Sequence, residues 1–249
     1  ALMKNGRPDP KKRGRTFQTF VNALRKQGYT VDWRELTACD FGAPTSRTRL
    51  FLIARRDHQP IVWPEPTHGD QKSPEVGRDG LLPWRPASEV IDWSIGCPSI
   101  FGRKKPLAEK TCQRIARGIK RFVLDDPSPF VVEMPWEGED HPAQSAAFLA
   151  KHYGGGYTGP EVSLRLPVST ITSVDHHALV SCRLSDMPDL KGKSEEVNAF
   201  LLKYYGTNVG HRCSDPLQTI TSKHRFGLVT VHQKEYQIVD IGMRMLKPR

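Results

Sequence analysis

The first regular pattern of apolar and polar positions predicts a helix followed by two strands. Apolar residues recur at helical spacing at Phe17, Phe20, Val21 and Leu24, with Thr16 able to cap the start and Gly28 to close the end. The β-branched and aromatic residues of 29–36 predict a strand. The unbroken apolar run 50–54 predicts a second strand, buried on both faces. This order is compatible with the edge of a parallel sheet, which needs further strands to bury both faces.

The pattern farther along predicts one longer helix among short elements. Residues 107–123 carry a single apolar stripe, and basic residues occupy the other positions, at Lys110, Arg114, Arg117, Lys120 and Arg121. This basic face either lies along a DNA backbone or is an ordinary solvated face. Residues 86–93 predict a short helix and residues 130–134 a strand.

The second half of the chain contains an internal repeat. Segments 148–154, 166–173 and 178–180 are echoed by segments 200–206, 215–222 and 227–229, and the offset from Thr170 to Thr219 is 219 − 170 = 49 residues. Each copy predicts a short helix or turn, a Pro-x-x-Thr-Ile-Thr strand and then a second strand. Two copies are too few for a solenoid, so we expect them to form one small, mostly β module.

Composition adds a preference for polyanionic partners. The chain has 249 residues and a formal net charge of +10, which favours nucleic acid first and an anionic membrane second, with an inert basic surface as the alternative. No apolar run approaches the length that spans a bilayer. The five cysteines are scattered and include no Cys-x-x-Cys, so we expect reduced thiols in a cytoplasm, no disulfide framework and no zinc site.

Two arginines stand at alternate positions directly before the apolar run 50–54. If strand geometry begins at Arg47, the side chains of Arg47 and Arg49 project to the same side. Two planar guanidinium forks on a rigid edge suit a phosphate group or the edge of a base. The alternative is two surface arginines that pair with carboxylates.

The repeated Thr-Ile-Thr triplets are the second candidate for chemistry. Within a strand, the hydroxyls on one face would be those of Thr170, Thr172, Thr219 and Thr221. Together with Lys223 and Arg225, which follow the second copy, they predict a surface that contacts DNA phosphates and bases. A solvent-facing strand with ordinary threonine propensity is the alternative.

The arginine segment resembles a known family. Gly-Ala-Pro-Thr-Ser-Arg-Thr-Arg, at 42–49 and followed by an apolar strand, is similar to the Gly-Val-Pro-Gln-x-Arg-x-Arg segment of the DNA cytosine-5 methyltransferases, with Thr45 in place of Gln. Pro-x-x-Thr-(Ile or Leu)-Thr strands occur in the target recognition domain of that family. Residues 240–249 resemble the block Arg-x-Leu-Thr-Pro-Arg-Glu that closes this domain. The matching residues are Arg244, Leu246, Pro248 and Arg249, while Lys247 replaces Thr.

The resemblance implies an α/β fold class and a different role for each of three successive segments of the chain. Residues 1–66 would form the C-terminal edge of a Rossmann-like S-adenosylmethionine methyltransferase sheet. Residues 67–240 would form a smaller mixed, mostly β target recognition domain, and 241–249 would return to the catalytic domain. The equivalent of Arg49 would hold a flipped cytosine, and the equivalent of Arg47 would support the nucleophile loop. The implied partners are double-stranded DNA and a missing N-terminal catalytic region, in a prokaryotic or phage-derived restriction–modification setting in the cytoplasm.

The motifs that carry the nucleophile and the assisting glutamate in this family, Pro-Cys-Gln and Glu-Asn-Val, do not occur in the sequence. A Gly-rich cofactor loop is also missing. We therefore expect S-adenosyl-L-methionine to be bound by the N-terminal catalytic region, with no cofactor or metal ligand in this chain. We also expect the chain alone not to methylate DNA. A stand-alone DNA-binding module and a structural protein with a basic surface are the competing hypotheses.

Overall fold

The computed structural model divides the chain into two compact units, Ala1–Trp84 and Arg85–Arg249. It describes residues 3–4, 7–8, 14–78, 80–152, 159, 161–172, 176–186, 193–205, 228–231 and 234–247. The first unit extends beyond residue 66, where we predict the domain boundary from sequence. Two hydrogen bonds explain the extension, since the backbone N–H of Thr67 donates to the Asp40 carbonyl (2.9 Å) and the Trp84 indole donates to the Asp40 carboxylate (2.9 Å).

In its described residues, the first unit contains one long helix and three pairs of strands. Its elements are β1 (Met3–Lys4), β2 (Arg7–Pro8), α1 (Arg15–Lys26), β3 (Thr30–Thr37), a 3₁₀ helix (Ala38–Phe41), β4 (Thr48–Arg55), β5 (His68–Gly69), the single irregular turn α2 (Glu75–Arg78) and β6 (Leu82–Pro83). The predicted helix and both predicted strands are confirmed. Thr16 is not the N-cap, because α1 starts at Arg15 after Gly14, whereas Gly28 does close the helix in a left-handed conformation (φ 85°).

Helix α1 packs against one face of the β3–β4 hairpin. Val21 is fully buried, and the ring of Phe17 meets Trp33 edge-on with centroids 5.2 Å apart. On the other face, the indole of Trp63 donates to the carboxylate of Asp32 (2.7 Å) and lies under the guanidinium of Arg34. These contacts anchor β3 on both sides, and β4 is positioned through its pairing with β3.

The structure corrects two expectations about β4. It pairs antiparallel with β3 instead of continuing a parallel sheet, because the ten residues 38–47 that join the strands are too few for a parallel crossover. It is also not buried on both faces, since Leu50 is 51% and Phe51 49% exposed. The described hairpin has only two strands, and the groups that pack against it, α1 and Trp63, contact mainly β3. A Rossmann-like edge therefore remains a prediction.

The second unit is built around a five-stranded antiparallel sheet in the order β10-β11-β9-β8-β7. Its strands are β7 (Val131–Met134), β8 (Ala143–Lys151), β9 (His177–Ser185), β10 (Leu228–Val231) and β11 (Lys234–Met245). Its helical elements are a 3₁₀ helix (Ala87–Val90), α3 (Glu109–Ile119), a π-helical turn (Lys120–Leu124) and α4 (Lys193–Tyr205). The predicted mostly β character is therefore present in this unit.

Both faces of this sheet are buried. On one face, Phe148 and Val180 belong to a core that also contains Ile115 of α3 and Leu201 of α4. On the other face, the alternate strand residues pack under irregular segments near Ala87 and Leu164. Because successive side chains of a strand point to opposite faces, the apolar run of β8 supplies both cores.

The first segment of the internal repeat, 148–151 and 200–203, does not form the same structure in its two copies. The Phe-Leu-x-Lys motif that starts at Phe148 lies in strand β8, whereas the copy that starts at Phe200 lies in helix α4. The neighbouring residues determine whether the motif forms a strand or a helix. Phe148 belongs to a continuous buried run, whereas Val197, Phe200 and Leu201 follow helical spacing. The second strands of the two copies do form, as β9 and β10, and both pair with β11.

The basic positions of α3 do not form one free cationic face. Arg117 pairs with Glu161 (3.3 Å) and Lys120 with Asp125 (2.7 Å). Arg114 is 9% exposed, and its Nη1 lies 3.1 Å from Nδ1 of His152. These contacts favour a structural role for much of the helix, and not contact with a DNA backbone. No helix among the described residues is long and apolar enough to cross a membrane.

Candidate functional site

The predicted arginine pair lies at the head of strand β4. The strand begins at Thr48, one residue later than expected, but the carbonyl of Arg47 still accepts a hydrogen bond from the backbone N–H of Ala38 (2.9 Å). Arg49 lies opposite Leu36 in the register with β3. The backbone of both arginines is therefore fixed by pairing between residues 36–38 and 47–49.

The Arg49 side chain is exposed and donates from Nη1 to the carbonyl of Thr48 at 3.0 Å. Within the residues that the structure describes, no carboxylate forms an ion pair with Arg49. The alternative of a carboxylate-paired surface arginine is thus not supported at this position. Arg47 is half-buried in the same segment.

The turn before the arginines requires glycine at position 42. Gly42 has a φ of 84°, and a Cβ added there would lie 2.8 Å from Cε1 of His68. The His68 Nδ1 in turn lies 2.8 Å from the Thr67 hydroxyl. This close approach of His68 to the backbone fixes the path of the chain toward Arg47.

Two neighbouring groups in this loop have unusual surroundings. The Thr45 hydroxyl is buried and has no hydrogen-bond partner among the described residues. The Cys39 thiol is 1% exposed, and burial together with the adjacent Asp40 carboxylate raises its pKa to about 11. Cys39 is therefore a protonated, inaccessible thiol at neutral pH.

The predicted threonine sites lie only partly within the described residues. Thr170 is half-buried and Thr172 is exposed, and both lie outside any helix or strand, which corrects the predicted Thr-Ile-Thr strand. One reason is that the hydroxyl of Ser169 lies 2.7 Å from Nε2 of His177 and ties the segment to the start of β9 by a side chain instead of a backbone ladder. The other predicted DNA contacts lie outside the described residues, namely Thr219, Thr221, Lys223 and Arg225.

Thr172 lines a cavity of about 430 Å³ within the second unit. The sheet contributes Leu149 and Arg244 to its wall, and both lie in register with Leu179 of the strand between them. The opposite walls come from residues 87–95 and 168–172. The cavity therefore joins four stretches of chain, at 87–95, 149, 168–177 and 244–247.

Hydrogen bonds hold these walls together. The backbone N–H of Ala87 donates to the Leu166 carbonyl (2.9 Å), and Arg244 donates from Nη2 to the carbonyl of Asp92 (2.7 Å). The Nε of Arg244 is buried without a partner among the described residues. Burial and the nearby Lys151 lower the pKa of His177, which also lines the cavity.

Sequence reasoning did not assign Arg244, His177 or Glu89 to a site, although all three line this cavity. Arg244 did carry a signal, because it belongs to the block at 240–249 that resembles the end of a recognition domain. Glu89 and His177 carry none, since nothing in their sequence neighbourhood indicates that the chain brings them together.

Comparison with known proteins assigns a class to the segment that contains the arginine pair. The profile of the family described as C-5 cytosine-specific DNA methylase matches residues 9–83. The matched residues include α1, the β3–β4 hairpin and both arginines, so this segment is similar to that family. The resemblance noted from the Gly-Ala-Pro-Thr-Ser-Arg-Thr-Arg segment is thereby confirmed.

The individual relatives are type II methyltransferases that match over short stretches. M.NgoBI of Neisseria gonorrhoeae is 40% identical over 53 residues, which is 21% of this chain and 17% of the relative. M1.HphI of Haemophilus parahaemolyticus is 38% identical over 55 residues, or 22% and 15% of the two chains. M.SacI of Streptomyces achromogenes is 34% identical over 76 residues, or 30% and 20%. The matches thus span one fifth or less of each of these relatives.

Proposed function

We propose that this chain is the C-terminal portion of a DNA (cytosine-5-)-methyltransferase, which recognises a DNA target and helps hold the flipped cytosine for methyl transfer. The observation that carries the proposal is the position of Arg47 and Arg49 within the matched residues 9–83, at the head of a hydrogen-bonded strand. In this role residues 1–66 belong to the catalytic domain, residues 67–240 to target recognition, and 241–249 lead back to the catalytic domain.

A cytosine must leave the duplex before its ring carbons can react, because stacking hides them. Arg49 suits the extruded base, since a guanidinium offers several donors in one plane to the acceptor atoms of the ring. Its exposure and its lack of a described acidic partner leave those donors accessible. Arg47, which is half-buried in the preceding turn, suits a supporting role for the loop that carries the nucleophile.

The uncovered surface of the first unit supports a catalytic partner region. Leu50 and Phe51 are about half exposed on opposite faces of β4, Phe20 is 52% exposed, and Val62 is 76% exposed. The buried Thr45 hydroxyl also has no partner among the described residues. In our proposal, the N-terminal catalytic region covers these groups and completes the Rossmann-like sheet.

Neither Cys39 of the first unit nor Cys97 of the second unit suits the role of nucleophile. Cys39 is protonated at neutral pH, as argued above, and burial also raises the pKa of Cys97. We therefore assign the nucleophilic cysteine to the partner region, which would carry Pro-Cys-Gln. S-adenosyl-L-methionine supplies the methyl group in this family, and we assign its binding to the same region.

Target recognition predicts a specific salt dependence of DNA binding. Replacement of Lys223 or Arg225 by Ala should weaken binding to duplex DNA and reduce the slope of log K against log salt concentration by about 0.9 for each lost phosphate contact. Fluorescence anisotropy with a labelled duplex at several salt concentrations measures both quantities.

Lys120→Ala is the matched control for this experiment. Its ammonium already pairs with Asp125 at 2.7 Å, so its removal should leave the salt slope unchanged. If neither Lys223→Ala nor Arg225→Ala changes the slope, the segment that carries them has no part in DNA recognition.

A further inference from the structure

A short loop of the second unit carries three consecutive basic residues, Arg103, Lys104 and Lys105. All three are exposed, and no carboxylate of the described residues forms an ion pair with them. Other basic side chains of this unit have acidic partners, and Arg183, for example, pairs with Glu139 at 2.7 Å. The charge of residues 102–106, which we call the basic loop, is therefore available to a partner.

The basic loop is anchored at both ends. Before it, the backbone N–H of Ile100 donates to the carbonyl of Ile241 in β11 (2.8 Å). The ring of Phe101 then meets Phe200 of α4 edge-on, with centroids 6.1 Å apart. After the loop, Leu107 packs against the core beneath α3. Anchors on both sides restrict the three cations, which lowers the entropy lost when they bind a partner.

The acidic residue nearest to the loop in sequence has partners of its own. Glu109 is the only acidic residue in 98–109, so this segment has a formal charge of 3 − 1 = +2. The Oε2 atom of Glu109 accepts a hydrogen bond from the Tyr204 hydroxyl (3.0 Å) and lies 3.5 Å from Nζ of Lys203. Because Lys203 balances this carboxylate, an anion that approaches the basic loop meets a net attraction.

Closely spaced cations suit a polymer whose anions are closely spaced. Duplex DNA carries one phosphate for about every 3.4 Å of helix axis along each strand. Membrane-surface segments, in contrast, combine basic residues with apolar side chains that insert into the lipid. Phe101 and Leu107, the large apolar side chains that flank the basic loop, are both half-buried and packed against the core. The basic loop therefore favours DNA over an anionic membrane.

We propose that the basic loop binds backbone phosphates of duplex DNA whatever the base sequence. Phosphate contacts fix the register and orientation of a protein on the duplex, whereas contacts to base edges specify the sequence. The basic loop would thus position the second unit while other residues read the bases. This inference rests on the proposed DNA recognition, and it adds a surface far in sequence from Lys223 and Arg225.

The test removes the three charges together, in the variant Arg103→Gln/Lys104→Gln/Lys105→Gln of the full chain. The slope of log K against log salt concentration should fall by about 0.9 for each lost phosphate contact, or by about 2.7 for three. Duplexes of unrelated sequence should be weakened by the same factor. Fluorescence anisotropy with two such labelled duplexes at several salt concentrations measures both effects, and circular dichroism verifies folding.

The matched control removes the same charge from cations that already have acidic partners. Arg55, Lys120 and Lys234 form exposed ion pairs at 2.6, 2.7 and 3.0 Å, and such pairs contribute little to stability. Their joint replacement by Gln should leave the slope as in the unchanged chain. Arg103→Lys keeps the charge of the basic loop and should also keep the slope.

The outcomes separate this inference from the proposed DNA recognition. If the unchanged chain binds DNA and the neutralised loop gives the same slope, or if the control lowers the slope equally, the inference is wrong and DNA recognition stands. A loss confined to one of the two duplexes also overturns it, because phosphate contacts are independent of sequence. If the neutralised loop instead loses binding only to phosphatidylserine vesicles, the partner is a membrane. If the unchanged chain binds neither duplex, both proposals fall.

Discussion

Phe148→Ala is expected to lower the free energy of unfolding of the second unit by about 3–5 kcal/mol. Phe148 has no exposed surface and lies in β8, which is flanked by β7 and β9. Its ring stacks on Phe122 with centroids 5.9 Å apart and packs over Gly118 of α3. Its removal leaves a cavity where helix meets sheet. Urea denaturation followed by circular dichroism measures the loss.

The same contact makes a matched prediction for Gly118. A Cβ added at this position would lie 2.0 Å from Cε2 of Phe148, so Gly118→Ala should cost about 1–3 kcal/mol through overpacking. In the double variant Gly118→Ala/Phe148→Leu, the smaller side chain at position 148 makes room for the added Cβ. The loss of unfolding free energy should therefore be less than the sum of the losses measured for Gly118→Ala alone and Phe148→Leu alone.

Leu202→Ala is the control for the stability series. Leu202 is 49% exposed, so its truncation should change the free energy of unfolding by only about 0.5 kcal/mol. Strictly additive losses in the double variant, or a loss for Phe148→Ala no larger than the control, would contradict the packing described for α3 on β8.

Arg49→Ala should reduce kcat/KM for methyl transfer by about 10-fold to 150-fold in the complete enzyme. This range corresponds to one lost charge-assisted hydrogen bond of about 1.5–3 kcal/mol. The expected reason is that the guanidinium at the head of β4 no longer holds the extruded cytosine. Arg49→Lys should recover only part of the activity, because a single ammonium does not reproduce a planar fork.

Arg56→Ala is the matched control, since Arg56 is an exposed arginine directly after β4. It should retain full activity and the same thermal stability as Arg49→Ala. Equal activity of these two variants would remove the assignment of Arg49 to the cytosine site. The assignment would also be removed if the loss of activity in Arg49→Ala were explained by a loss of folded protein.

The fold was predictable where local pattern and packing agree. Helix α1, strand β3 and strand β7 follow their periodicity, because the same residues that set the period also make the contacts. Pattern failed at Phe148 and Phe200, where one motif forms a strand and a helix. The choice depends on neighbours along and across the sheet, which a short motif does not contain.

The same distinction applies to the candidate sites. Arg47 and Arg49 could be found because they are two apart and precede a strand that forms locally. The cavity could not be found from the sequence, because Leu149, Leu179 and Arg244 become neighbours only through the register of three paired strands. The exposure of Phe51 was also not predictable, since an apolar run does not reveal whether other segments pack against it.

The most direct test of the central claim is tritium transfer from S-adenosylmethionine to duplex DNA. The chain is assayed alone, and then together with the polypeptide encoded immediately upstream, which should carry Pro-Cys-Gln and Glu-Asn-Val. We predict a blank signal from either polypeptide alone and methylated cytosine from the two together. Turnover by the chain alone would contradict the account. So would a blank from the mixture while the chain still binds DNA, which would identify a stand-alone DNA-binding module.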